Sequence, residues 1–179
     1  MHPRLTELLD YLDVTRASVL GAASMVPRER WGVRPAPNRW CVAEICWHLQ
    51  RVESGVAKLI RTRATQARAA GHPEEPADSE LLGTHDRFGI VDRNRRIDAP
   101  AAVTPQDVPS AEDAQRLLAE SRAMLRSAIA EVDGLALGLI MHPHPVLGEI
   151  NLYEWILFVG LHEQRHLPQI GEVAAASAN

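Results

Sequence analysis

Apolar residues recur at spacings of three and four along four separate stretches of this chain, and each stripe is long enough to bury one face of a helix. In the first, Leu5, Leu8, Leu9, Leu12, Val19 and Leu20 carry the period before Pro27 ends it, predicting a helix over roughly 4–24. The second begins near Trp40, carries Ile45, Leu49, Val52, Val56 and Leu59, and runs to about Ala70, where Gly71 and Pro73 supply a C-terminal cap and a breaker. Ser110, with Asp113 three positions on, opens a third that buries Leu117, Leu118, Leu125, Ile129 and Val132 before Gly134. Asn151 and Glu154 form the same kind of start for a fourth, which carries Leu152, Trp155, Ile156 and Val159 inward and should tighten or end at Pro168.

Between the second and third stripes lie 39 residues, 71–109, with five prolines. That is far more than antiparallel neighbours require, and it suits a crossover along the length of a bundle. A short helix over Asp78 to Gly83 would fit within it. No stretch alternates apolar and polar residues well enough to promise a sheet. The expectation is a single all-α domain over residues 1–179, a four-helix bundle with one long connection.

Three histidines interrupt these stripes on their buried side. Trp155, Val159, His162 and His166 follow one another at four, three and four, and His48 stands between Ile45 and Val52. Imidazoles four apart on a helix project the same way and can grip one metal ion, with His48 as the third ligand from another helix. Three neutral imidazoles suit Zn²⁺, Ni²⁺, Fe²⁺ or Co²⁺ and leave a coordination position open, which favours catalysis over a closed structural site. Zinc is expected on abundance, with nickel as the other fitting ion.

His162-Glu163-x-x-His166 also matches the protease pattern in which the glutamate polarises a metal-bound water. Only thirteen residues follow His166, none of them histidine, so the usual downstream third ligand is missing. Glu163 remains a weak candidate general base, against the alternative of a solvated glutamate beside Arg165. Glu44, four before His48, is placed either to hold the His48 ring or to cap its helix. His142-Pro143-His144-Pro145 should form an extended turn at the mouth of the bundle, from which either ring could approach the metal. Arg87, Arg93, Arg95 and Arg96 gather in the long connection, as receivers of an anionic substrate or as a hydrated cluster.

Other classes find little support. Nineteen basic against 23 acidic residues give a net charge of -4, with no basic stripe, so nucleic acid is not expected as a partner. A carboxylate at Glu7 precedes any apolar run, which argues against a secretory signal, and no eighteen-residue apolar stretch suggests a membrane partner. Cys41 and Cys46 fall on different helix faces, so no disulfide is expected and a cytoplasmic location fits. At the start of its helix Cys41 is either a thiol with a dipole-lowered pKa or simply a small N-terminal residue.

Taken in order, Asn38-Arg39-Trp40-Cys41-Val42-Ala43-Glu44 leading to His48-Leu49, then Arg95-Arg96-Ile97-Asp98-Ala99-Pro100 with Val103-Thr104-Pro105, His144-Pro145-Val146-Leu147-Gly148-Glu149-Ile150-Asn151, and finally His162-x-x-x-His166-Leu167-x-Gln169-Ile170, resemble the DinB-like superfamily over nearly the whole chain. Cys41 stands where a Ser or Thr is commoner, and Pro168 intrudes in the last motif. The resemblance implies a four-helix bundle of up-down-down-up topology and maps the three metal ligands onto His48, His162 and His166. Its characterised members include thiol S-transferases that use bacillithiol or mycothiol and a mycothiol-dependent isomerase, in which a divalent ion lowers the thiol pKa. It therefore implies a metal-dependent thiol transferase for small electrophiles, with a metal-dependent hydrolase or a non-catalytic metal-binding stress protein as alternatives. The family's homodimers imply an apolar face, for which Leu157 and Phe158 are candidates, with core packing as the equal alternative for both.

Overall fold

The computed structural model describes residues 1–177. Four α-helices organise it: α1 (Pro3–Ser24), α2 (Val42–Ala69), α3 (Ala111–Glu131) and α4 (Leu152–Ser177). Their directions follow from the side chains that meet. Tyr11 lies against Gly160 and Thr15 bonds Glu163, so α1 and α4 run parallel. Glu53 meets Arg122 and Arg61 meets Glu131, so α2 and α3 are parallel too. Asp13 pairs with Arg126 while Arg16 reaches Leu118, which makes α1 and α3 antiparallel. The order is therefore up, down, down, up.

Parallel α2 and α3 explain the long connection. At about 1.5 Å per residue, α2 carries the chain roughly 40 Å away from where α3 must begin, and the 71–109 segment spans that return. It is pinned on its way. Glu7 accepts from the Leu82 and Gly83 amides at 2.9 and 3.0 Å, and Asp86 accepts from the Ile90 and Val91 amides at 2.9 and 2.7 Å. Asp78 to Gly83 is non-helical, held by contacts to α1; the helical turn in this segment is instead a 3₁₀ turn at Ala101–Val103.

Two sequence-level boundaries shift. Helix α2 starts at Val42, with Cys41 as its N-cap residue and the Glu44 carboxylate accepting from the Cys41 amide at 2.9 Å. Helix α4 does not stop at Pro168 but continues to Ser177. Proline inside a helix removes a hydrogen bond and costs about 3 kcal/mol. That cost is offset because Ile170 and Val173 beyond it are fully buried against Val19, Ala23, Ile45 and Cys46. Leu20, placed in the first stripe, is 38% exposed and lies outside the core.

A hairpin precedes α4, where no sheet was expected: β1 (Met141–His144) pairs antiparallel with β2 (Gly148–Asn151). The alternating prolines hold β1 extended, and Gly148, at φ 76, supplies the left-handed turn residue that a side chain would disfavour. Asn151 Oδ1 then caps the Glu154 amide at 3.0 Å, while Glu154 returns to the Asn151 amide at 2.7 Å. Leu157 and Phe158 are each 7% exposed and belong to the core of this chain. No helix among the described residues is long and apolar enough to cross a membrane.

Candidate metal centre

His48, on the second turn of α2, and His162 and His166, one turn apart on α4, converge as their stripes predict. His162 Nε2 lies 3.0 Å from His48 Nε2 and 3.1 Å from His166 Nε2, and donor atoms of all three lie within 4.8 Å of one another. All are buried, at 3%, 9% and 7% exposure. The outer nitrogens fix the tautomers. His48 Nδ1 is 2.7 Å from the Val103 carbonyl, which can only accept, so the proton sits there and Nε2 is a bare lone pair. His166 Nδ1 donates in the same way to Gln169 Oε1 at 2.6 Å.

Burial holds all three rings neutral. It depresses His48, drives His166 down to about 3 with help from His48, and takes His162 well below its usual range, with His166 and His48 adding to the effect. The two bare lone pairs, each about 3 Å from His162 Nε2, are met either by the proton of that nitrogen or by a cation placed among the three. Bonds of 2.0–2.1 Å to a common ion would set nitrogen separations of about 2.9 Å in octahedral and about 3.3 Å in tetrahedral geometry, and the two separations from His162 Nε2 fall between, with all three donor atoms within 4.8 Å of one another. The residues present therefore fit a divalent metal ion.

Around this point the helices open into a cavity of about 860 Å³. Trp40 covers the centre from one side, with its ring 4.9 Å from His48 and stacked at 6.1 Å on His166. Phe158 stacks on His162 at 5.3 Å from the other, and Val52, Val56, Leu59 and Ile90 extend the apolar wall. Arg39, Arg51, Arg93 and Arg96 stand around it, with Asp98 and Glu172 as counter-charges. Arg39 and Arg93 pair with Glu172, and Arg96 pairs with Asp98. Of the clustered arginines, Arg87 turns away to Glu154 and Arg95 to the Phe88 carbonyl.

Several expected roles fall elsewhere. Glu163 is neither a solvated partner of Arg165 nor a base at the centre: 1% exposed, it faces the bundle interior and accepts from Thr15, Arg16 and Arg122. The helix rotation of 100° per residue carries it off the histidine face. Arg165 instead holds the crossover, donating to the carbonyls of Ile90, Asp92 and Arg95 at 2.7–2.8 Å. Glu44 does not touch His48; its carboxylate binds Arg34 and caps α2. Burial pushes the Cys41 thiol up to about 11, overriding any helix-dipole activation. Both cysteines are free. His142 and His144 line the cavity but lie outside the three-histidine group.

Two features had no place in the sequence reading. The first is the pair of acceptors, Val103 and Gln169, that sets the ligand tautomers; a backbone carbonyl 55 residues from its histidine leaves no side-chain signal. The second is a buried charge network drawn from all four helices. Arg16 bonds Glu163 at 2.6 Å and Glu53 at 2.7 Å, Arg122 bonds the same carboxylates at 3.1 and 2.6 Å, and Ser121 also donates to Glu53. Its signal was present. Leu12-Arg16-Val19, Leu49-Glu53-Val56, Leu118-Arg122-Leu125 and Ile156-Glu163-Ile170 each put a charge on an apolar stripe.

Comparison with known proteins agrees with this architecture. A family model described as the DinB superfamily matches residues 11–170. The chain is 29% identical over 146 residues to the uncharacterized protein YuaE of Bacillus subtilis (strain 168), covering 81% of this chain and 83% of that one. No solved structure matches.

Proposed function

The chain belongs to the DinB superfamily, and from that premise we propose that it is a divalent-metal-dependent enzyme that transfers a low-molecular-weight thiol to small electrophilic molecules. His48, His162 and His166 are the ligands in this reading, with zinc or nickel as the ion and bacillithiol or mycothiol as the kind of thiol. One observation carries it: the bare Nε2 atoms of His48 and His166, their tautomers fixed from behind, converge with His162 Nε2 beside a cavity large enough for a second molecule. A divalent ion held there acidifies a bound thiol at neutral pH.

The chain's own residues supply the rest. The Val103 carbonyl and Gln169 hold two rings so that their ligating atoms face the centre, the arrangement that raises ligand basicity in metal sites. Trp40 and Phe158 flank the centre, and with Val52 and Val56 they exclude water and offer an apolar seat for the electrophile. Arg51, on the exposed edge, faces Trp47 at 5.7 Å and has no carboxylate partner among the described residues, so it can meet a carboxylate-bearing thiol.

Elemental analysis of the protein as isolated, beside His162→Ala, tests the ligand set; about one ion per chain should be present and disappear in the variant. Metal-loaded protein should then accelerate consumption of bacillithiol or mycothiol by a panel of electrophiles. Metal retention without thiol consumption, and without hydrolysis of simple esters, would leave a metal-binding bundle and overturn the transferase reading. Unchanged metal content in the variant would overturn the ligand assignment.

A further inference from the structure

The hairpin before α4 presents a histidine that the three-ligand centre does not use. His144, half-buried at the end of β1, packs 4.7 Å from Trp155 and 4.5 Å from Phe158, and Phe158 in turn stacks on His162. It therefore lies two ring contacts from the centre, on the cavity wall. Its Nδ1 is committed. The amides of Val146 and Leu147 both donate to it, at 3.1 and 3.3 Å, closing the turn of the hairpin.

An imidazole nitrogen that accepts from amides must present a lone pair, so in the neutral ring the proton is on Nε2. Burial keeps the ring neutral, with its pKa lowered to about 4. The Nε2–H has no protein acceptor among the described residues and is not sealed from solvent space. A donor fixed in tautomer by the backbone, packed against two aromatic rings on the cavity wall, is the kind of polar group that orients a ligand beside an apolar surface. The two histidines that reach this cavity from α4 each turn Nε2 to the centre.

We propose that His144 is a substrate-binding residue: its Nε2–H donates to a carbonyl-type oxygen of a small, mostly apolar molecule whose reacting end lies at the three-histidine centre. The proposal rests on the reading of this cavity as the substrate site, and it narrows the electrophile to one with an acceptor oxygen a short distance from the reacting atom. His144 selects and orients; it exchanges no proton.

The test uses the protein as isolated, with long-range ¹⁵N spectra of the histidine rings and binding of acetophenone, which carries a carbonyl, against ethylbenzene, which does not. His144 should show the Nε2–H tautomer at pH 7, and acetophenone should shift its Nε2 resonance. His144→Asn keeps an oxygen to accept the two hairpin amides but has no donor long enough to reach the ligand. It should bind acetophenone about 3- to 10-fold more weakly, the range of one neutral hydrogen bond, with ethylbenzene binding unchanged. His144→Phe, which keeps the ring, should lose acetophenone binding to the same extent.

An Nδ1–H tautomer overturns the proposal. So does equal acetophenone affinity in wild type and His144→Asn, or an absence of acetophenone binding to the wild type. Metal content separates this result from the proposed function. His144→Asn should keep the metal of the wild type, whereas failure of the ligand assignment is read from His162→Ala alone.

Discussion

Glu163→Gln is a substitution for which the interior charge network predicts a large effect on folding and none on the metal. Glu163 and Glu53 together neutralise Arg16 and Arg122, and Glu163 and Glu53 are each 1% exposed. Glutamine keeps the shape and the oxygen that both guanidiniums share, and its amide can donate to the Thr15 hydroxyl, but the negative charge is lost, leaving two buried guanidiniums to one carboxylate. Breaking a buried ion pair from one side costs about 3–5 kcal/mol, because the partner's desolvation is no longer offset. In a chain of this size each kcal/mol lowers Tm by roughly 2–4 °C, so a fall of roughly 6–20 °C is expected.

Urea and thermal unfolding of metal-free protein at pH 7, followed by circular dichroism, would measure it. A double variant, Arg16→Met with Glu163→Gln, restores the balance of one guanidinium to one carboxylate. Its loss should fall short of the sum of the two single losses by more than about 1 kcal/mol. A loss below about 1 kcal/mol in Glu163→Gln, or strict additivity, would refute the reasoning. Metal content of the folded Glu163→Gln protein should equal that of the wild type, since the carboxylate points away from the centre.

Other outcomes follow from single contacts. Gly160→Ala should lower stability by about 1–3 kcal/mol, because a methyl there would overlap the Tyr11 ring, 2.8 Å from its Cδ1; an unchanged urea midpoint would count against the close approach of α1 and α4. Arg165→Ala removes the donor shared by three carbonyls of the crossover, so hydrogen exchange and proteolysis should rise within 90–96 before they rise in the helices. His144, with its pKa lowered to about 4 against an unfolded value near 6.5, is protonated in the unfolded chain first. The stability advantage of wild type over His144→Asn should therefore be full above about pH 6.5 and shrink as pH falls toward 4. A histidine titration midpoint near 6.5 by NMR would contradict this.

Much of the molecule can be read from spacing alone. The apolar period placed all four helices, and Asn151 with Glu154 and Ser110 with Asp113 cap where their types require, because helix starts are decided by a few adjacent residues. His48, His162 and His166 could be grouped for the same local reason: a helix fixes which residues share a face. What a helix cannot fix is what stands opposite that face. The His-Glu-x-x-His spacing offers Glu163 either as a base or as a solvated neighbour of Arg165, yet its partners on α1 and α3 turn it into an interior ion pair.

Pro168 shows the same limit in backbone form. Propensity alone ends α4 there, whereas burial of Ile170 and Val173 carries the helix through to Ser177. The amino-acid order thus determined the helices, their buried sides and the three candidate ligands, all of which depend on neighbours within one or two turns. Only the assembled bundle decided that the Val103 carbonyl would set the His48 tautomer, that Arg165 would hold the crossover over the cavity, and that four charges would neutralise one another inside. Those pairings join residues tens of positions apart, and desolvated polar groups find such partners only once packing has removed the water that would otherwise satisfy them.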